Sequence, residues 1–483
     1  MGILALTATG VCSMLGASIN VVPFMIQRNV PGIGPYVLPA FAFAAIPALF
    51  AALAYGILAS AMPRAGGSYI YASRGLNPYL GFVASFSQWF GLSIVIGVIA
   101  YVTVPFIRDV TLSLGWTGIS NGLEIGWIRV TIALSLIWSF VAINIRGIKS
   151  YERILLPMMF LMFALGGIVI VSALIYDSTD FLTGLQEKTG RTFNTTENID
   201  FDWRIFLSAA ALLFSSFIGF DSIAQAGGEA KNPTKSLPRA ILLAIFGVGL
   251  FYFLFASAVY HIVPWRFVAE EAMTKDISAP GLLSYVLPSG LGISILAGAA
   301  IALINDLPAM LLSVSRLMFA WAKDGIFPKS ISTIHPKNHT PHIALMVAGV
   351  MASIGVLGSH FAGDFFLGID IMVTSMMVNF LLMCITLVTI NKVNPALAKQ
   401  ISVLKNRTLQ LWIAWSGIIT LSAFLGIHTY KDLNSNTTAW YFHSTPIWLI
   451  VMGLASLLFT YYWKKLKKQH NNTNELFLEL PEE

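Results

Sequence analysis

Two apolar stretches long enough to cross a membrane are interrupted by small and polar residues at corresponding places in the two halves of the chain. The first runs through Gly10-Val-Cys-Ser-Met-Leu-Gly16-Ala17-Ser18-Ile-Asn20 and ends near Pro23. The second runs through Phe214-Ser215-Ser216-Phe217-Ile218-Gly219-Phe220-Asp221 to Gly227-Gly228-Glu229. Small residues let a helix unwind, and the freed N–H and C=O groups are tolerated at bilayer depth only where they line a buried or watery cavity. Paired interruptions of this kind point to the midplane binding site of a secondary transporter. A carboxylate adds to the pattern: Asp306, in Ala-Leu-Ile-Asn305-Asp306-Leu-Pro308, falls near the middle of another apolar stretch. An aspartate there costs about 2.5–3.5 kcal/mol on insertion scales, so it requires a role. Binding a coupling Na⁺, carrying a proton and pairing with a substrate amine are all open to it, as is capping a kink ahead of Pro308. Asp221 is equally suited to holding the second unwound segment or to touching substrate and coupling ion. Asp370, early in its own apolar stretch, reads as a solvated or capping residue.

The elements that position these residues are membrane helices. The 483 residues are 56% hydrophobic and 11% charged, with a mean hydropathy of +0.75, against about 25% charged residues in soluble domains. Windows of about 20 apolar residues, enough to cross roughly 30 Å of hydrocarbon, recur at 5–26, 36–60, 80–107, 127–145, 154–176, 203–226, 240–262, 290–320, 342–359, 365–390, 409–427 and 446–463. The expected fold class is therefore an all-α polytopic membrane protein of about twelve spans, with no room for a separate soluble domain. The first apolar run lacks a charged region before it and continues into its interruption, so it is expected to stay as a span and not be cleaved as a signal. Cys12 and Cys384 fall inside spans and carry no redox information.

Orientation follows from the basic residues. With twelve crossings, most of the 29 Lys and Arg, among them Arg64, Arg74, Arg146, Lys231, Arg316, Lys323 and Lys464-Lys465, fall on the side of the N-terminus. The positive-inside rule makes both termini cytoplasmic in a cell membrane. The net charge of +6 is thus a topology signal and nucleic-acid binding is excluded. The segment 177–202 is expected as an external loop, 264–289 as a cover over the outer mouth, and 464–483 as a disordered tail. Glu229, with Lys231 and Arg239, is expected to form ion pairs that close the inner gate. The 8 histidines are scattered in loops and near span ends, and no H-E-x-x-H, phosphate loop or symmetric filter motif is present. A membrane hydrolase, a metal site and a channel are disfavoured on these grounds.

Four loop motifs then point to a family. Pro63-Arg64-Ala65-Gly66-Gly67-Ser68-Tyr69-Ile70-Tyr71 resembles the P-x-x-G-G-x-Y-x-Y signature of the amino acid–polyamine–organocation (APC) transporters. Ile143-Asn144-Ile-Arg146-Gly147-Ile-Lys149, Gly228-Glu229-Ala-Lys231-Asn232-Pro233 through Pro238-Arg239, and Ser315-Arg316 through Ala322-Lys323-Asp324-Gly325-Ile-Phe-Pro328 continue the resemblance in order.

The resemblance implies two five-helix repeats of opposite orientation, at 1–176 and 203–390, followed by peripheral helices in 391–463. It implies alternating access by motion of spans 1, 2, 6 and 7 against a scaffold of 3, 4, 8 and 9. It also implies that amides at Gly16, Ala17 and Ser18 receive a substrate carboxylate while carbonyls of Phe217, Ile218 and Gly219 accept from an ammonium group. Departures narrow the reading. Ser18 and Asn20 stand where the family commonly has glycine and an aromatic. Met162 stands where some proton-coupled relatives carry a lysine, and Ser215 where arginine/agmatine exchangers carry a gating aromatic. Met310, one turn beyond Asp306, is expected to line a pocket for an apolar side chain. The implied function is cation-coupled transport of an amino acid by symport or exchange, with Na⁺ or H⁺ as coupling ion and no cofactor. An amine or polyamine substrate, and a transport-inactive sensor or accessory subunit, are the alternatives.

Overall fold

The computed structural model describes residues 1–193, 199–362, 365–435, 439–469, 473 and 475–482, with the side chains at positions 17, 18, 362, 365 and 366 outside the description. Among these residues the regular structure is helical, and eleven helices are long and apolar enough to cross a membrane. Spans 2 to 5 are Gly34–Ala61, Pro78–Ser113, Gly126–Ile145 and Ile148–Ser172, and span 6 is Trp203–Gln225. Spans 7 to 12 are Pro233–Ile262, Ser289–Lys323, His342–Phe361, Leu367–Val393, Arg407–Leu433 and Ser444–Gln469. The twelfth expected span, 5–26, is three short helices, Ile3–Met14, Ala17–Asn20 and Val22–Asn29, none of which crosses alone.

Helix starts follow local chemistry. Asn77 caps span 3 by accepting from Leu80 N at 2.8 Å, ahead of Pro78, whose missing N–H costs nothing at a first turn. Asn406 caps span 11 in the same way, accepting from Thr408 N at 3.0 Å. Burial then sorts the spans into layers. Within their apolar windows, spans 3 and 8 are 78% and 83% buried while spans 5 and 12 are 22% buried, so the first pair forms the centre and the second faces lipid. Small residues let the central helices touch by backbone, as expected without a hydrophobic drive between helices in lipid. A Cβ on Gly97 of span 3 would sit 2.2 Å from the Ala352 carbonyl of span 9.

One face of the bundle is built around Arg74 and Asp324. Gly66, at φ +76°, makes the left-handed turn that starts the short helix Gly67–Gly75, and a Cβ there would meet Ala320 of span 8 at 2.4 Å. This helix carries Arg74, whose Nη2 donates to Asp324 Oδ1 at 2.9 Å, while Tyr69 Oη donates to Asp324 Oδ2 at 2.6 Å. The segment expected as a disordered tail is folded onto the same face where it is described. Arg74 Nε donates to Glu479 O at 3.2 Å, Arg64 Nε to Pro481 O at 3.1 Å and Asn394 Nδ2 to Leu478 O at 2.8 Å. Phe477 is buried against Trp463 and beneath the Arg74 guanidinium. A charged composition suggested disorder, but Phe477 and the free donors of Arg64 and Arg74 supply the docking.

At the opposite face, Trp265–Thr274 packs on the Val22–Asn29 piece of span 1, with Arg28 paired to Asp276 at 2.8 Å and Ile277 N donating to Met25 Sδ at 3.3 Å, and the short helix Ala279–Leu283 follows. In 177–202 the chain forms a helix, Ser178–Thr189, started by a capping box of Asp177 and Asp180.

Arg74 and Asp324 are buried together, so removing one leaves an uncompensated charge. Arg74→Met is expected to cost about 3–5 kcal/mol, read as a lower midpoint of thermal unfolding in detergent. Adding Asp324→Asn should recover part of that loss, because the stranded charge goes with it.

Candidate substrate-binding site

Both interrupted spans are broken as expected, but over shorter lengths. Span 1 leaves the helix at Leu15 and Gly16 and resumes at Ala17. Ala17 and Ser18 are therefore helical, and their side chains lie outside the described residues. The resumed helix is four residues long before it breaks again at Val21, too short to sum a macrodipole toward a ligand. Span 6 tightens to a 3₁₀ turn at Phe214–Phe217, extends through Ile218 and turns at Gly219 with φ +135°. That backbone conformation requires glycine, and so does the space: a Cβ on Gly219 would lie 2.3 Å from Ser13 O. The two breaks thus touch. Ser13 Oγ and Ser222 Oγ share a hydrogen bond at 3.0 Å, and Tyr252 Oη donates to Met14 O at 2.6 Å, satisfying a carbonyl freed by the first break.

Asp306 lies against the first break, as its depth suggested. A Cβ built on Gly16 would be 1.5 Å from Asp306 Oδ2, so Gly16 is needed to house the carboxylate, not to supply a special φ. Beside it, Asn305 Nδ2 donates to Cys12 Sγ at 2.8 Å. Asp306 and Met310 line a cavity with Ser13, Met14, Ser215 and Ile218, closed by Val95, Val98 and Ile99 of span 3 and Ile369 and Met372 of span 10. Four expected site residues, Ser215, Ile218, Asp306 and Met310, therefore meet. The cavity holds water centres over about 20 Å³, which fits one ordered water and no larger solute. Its lining carries one acid and no base. Ser215 Oγ is buried without a hydrogen-bond partner among the described residues, a polar group available to a ligand.

Other expected residues lie elsewhere. Asn20 lines a separate small cavity with Leu15, Ile19 and Met162. Phe217 turns its ring toward Phe41, 5.0 Å between centroids, away from the central cavity. Asp221 is fully buried and holds the second break: it accepts from Gly219 N at 3.1 Å and from Gln88 Nε2. Gln88 Oε1 in turn accepts from Gln225 Nε2 at 3.3 Å and Asn379 Nδ2 at 3.4 Å, and Asn379 Nδ2 also donates to Tyr55 Oη at 2.7 Å. Gln88, Gln225 and Asn379 are absent from the sequence reading, although amides inside apolar spans are a usable signal, since each must be hydrogen-bonded.

Toward the Arg74 face the site is shut. Gly66 N donates to Gln225 O at 3.1 Å, and a Cβ on Gly227 would meet Arg64 O at 2.5 Å. Glu229 is ion-paired as expected, but with Arg316 of span 8, whose Nε lies 2.9 Å from Oε1, and not with Lys231 or Arg239. Arg316 is buried and its guanidinium is planar, which favours it for a close carboxylate over two solvent-facing side chains.

Two touching helix breaks, one against Asp306 and the other held by Asp221, inside a multi-pass helical bundle, are the arrangement of a membrane transporter of the broken-helix kind. The chain belongs to the amino acid permease family, whose model matches residues 1–455. It is 24% identical over 397 residues to the low-affinity putrescine importer PlaP of Escherichia coli (strain K12), covering 80% of each chain. It is 26% identical over 384 residues to the branched-chain amino acid permease BcaP of Bacillus subtilis (strain 168), covering 74% of each. It is also 24% identical over 362 residues to cationic amino acid transporter 4 of Mus musculus, covering 73% of this chain and 54% of that one.

Gly16→Ala forces the Asp306 carboxylate to move in a packed site, and overpacking of this kind costs about 1–3 kcal/mol. Asp306→Ala should relieve the clash, so the double variant is expected to be more stable than the two single losses sum to. Additive losses in a thermal-unfolding cycle would separate the two residues.

Proposed function

We propose that the protein carries small apolar amino acids across the cell membrane by alternating access, coupled through Asp306 to movement of H⁺ or Na⁺. The observation that carries this reading is the central cavity itself: one carboxylate, no base, and walls of Val, Ile and Met. The cavity as it stands is collapsed around this lining; once it widens, a substrate ammonium pairs with Asp306 and the carbonyls of the second break, and an apolar side chain lies against Val95, Ile99 and Met310. The Ser215 hydroxyl and amides freed by the two breaks remain for the carboxylate. The same cavity supports a second reading, a monoamine with an apolar body, since the single acid asks only for an ammonium group. A diamine fits less well: Asp221 is committed to Gly219 and Gln88, so a second ammonium has no second acid. In this reading residues 1–176 and 203–390 are the inverted repeats and the Arg74 face, with both termini, is cytoplasmic. The bundle of spans 1, 2, 6 and 7 then rocks against 3, 4, 8 and 9.

The test is uptake by proteoliposomes of the purified chain, with leucine, isoamylamine (leucine's skeleton without the carboxylate) and putrescine, under an imposed pH or Na⁺ gradient. Leucine should accumulate, isoamylamine far less and putrescine not at all, and Asp306→Asn should lower gradient-driven uptake at least tenfold. Uptake of isoamylamine alone would establish the amine reading. No uptake of any of the three would leave a sensor or accessory subunit.

A further inference from the structure

Outward of the central cavity lies a second, larger one. Span 3 lines both: Val98 and Ile99 border the central cavity, and Tyr101, Val102 and Pro105 border the other, about one turn farther along at 1.5 Å per residue. By the same measure of water centres the outer cavity offers about 390 Å³ against about 20 Å³. Span 3 is the wall that the two cavities share.

Three arginines and two aspartates point into this space. Two of the arginines are matched. Arg28 pairs with Asp276 at 2.8 Å, and Arg108 with Asp109 at 2.7 Å. Arg129 is different: its Nε donates to Tyr101 O at 3.0 Å, and no acidic side chain among the described residues lies within 4 Å of it. It also sits in the first turn of span 4, which starts at Gly126, where the helix dipole disfavours a cation. Neither the dipole nor an ion pair explains a positive charge there.

Its surroundings instead hold it in place. The guanidinium carbon stands 3.7 Å from the centroid of the Tyr101 ring, a stacked cation–π contact. The Tyr101 hydroxyl is fixed by His360 Nδ1 at 3.0 Å, and His360 packs against Trp127 with centroids 4.9 Å apart. A planar guanidinium with one edge bonded and one face stacked leaves its remaining N–H groups for a bidentate acceptor.

We infer that Arg129, seated on Tyr101, is a docking site for the carboxylate of the substrate on its way to the central cavity. This rests on the amino acid reading above and sharpens it: the outer seat selects for a carboxylate, the inner one for an ammonium group. An amine lacking a carboxylate is repelled at the first and accepted at the second, so the pair together favours the zwitterion.

The test uses 4-methylpentanoate, leucine's skeleton without its amine, because it engages the outer seat alone. Its binding to purified protein in detergent is followed by saturation-transfer NMR at constant ionic strength. Saturable binding is expected in the wild type, at least tenfold weaker in Arg129→Gln, intermediate in Arg129→Lys and unchanged in Asp306→Asn. Equimolar inorganic phosphate should not displace it. Arg129→Gln gives up the Tyr101 carbonyl bond and the ring stack, so its melting point is expected to fall slightly, and in liposomes it should raise the leucine KM without lowering the maximal rate. Absence of binding, insensitivity to Arg129→Gln, loss in Asp306→Asn, or equal displacement by phosphate (the mark of a general oxyanion or lipid-headgroup site) would overturn the assignment. So would an unchanged leucine KM in Arg129→Gln. Arg129-dependent carboxylate binding with no leucine uptake would leave the seat standing and refute the transport reading instead.

Discussion

Backbone polar groups freed at bilayer depth have no water to turn to, and the centre of this molecule is organised around satisfying them. The Met14 carbonyl is met by the Tyr252 hydroxyl and the Gly219 amide by the Asp221 carboxylate. Asp221 is itself held by Gln88, which anchors span 6 to span 3 and, through Asn379 and Tyr55, to spans 10 and 2. An unsatisfied group at this depth costs several kcal/mol, so each break commits a set of neighbours that sequence distance would never connect. The bundle's centre is polar for that reason, and its periphery is free to be a lipid-facing layer of Leu, Ile and Phe.

This division explains what could be read from the chain. Spans were legible because length and apolarity suffice, and breaks because Gly16 and Gly219 interrupt apolar runs. Asp306 was legible because a carboxylate in such a run is costly. What it touches was not: Gly16 and Asp306 are far apart in the chain, and only the fold shows that the glycine makes room for the carboxylate. The role of Gly16 was accordingly assigned to backbone freedom when it belongs to space. Glu229 has two bases near it in sequence, Lys231 and Arg239, and its pairing with Arg316 is tertiary. The tail misled because charge dominates its composition, while a single aromatic, Phe477, and carbonyls matched to Arg64 and Arg74 decide its position.

The charge pattern of the two cavities is asymmetric in a way composition hides. The central cavity holds an acid without a base, and the outer cavity is lined by an arginine, Arg129, with no acidic side chain among the described residues within 4 Å. A formal +6 for the whole chain says nothing about this, because most of it lies on loops and is screened within a Debye length. The two local imbalances sit in low-dielectric walls, where single charges act strongly. They are of opposite sign, which suits a molecule that carries both charges.

The same contacts constrain any motion that opens the Arg74 face. Spans 1 and 6 are tied by the Ser13–Ser222 hydrogen bond and by the closeness of Gly219 to Ser13, so separating them would expose two broken backbones at once. Moving them together costs less, and then the contacts that must yield lie between span 6 and its surroundings. These are the Gly66–Gln225 backbone bond, the packing of Arg64 on Gly227 and the Glu229–Arg316 pair. Among them the Glu229 side chain is 26% exposed, so water can reach it when its partner leaves. The Asp221–Gln88 bond is buried at both ends, and breaking it would strand a carboxylate with no solvent at hand. The Asp221–Gln88 bond is therefore the tie between spans 3 and 6 that any movement of the two breaks has to keep or replace.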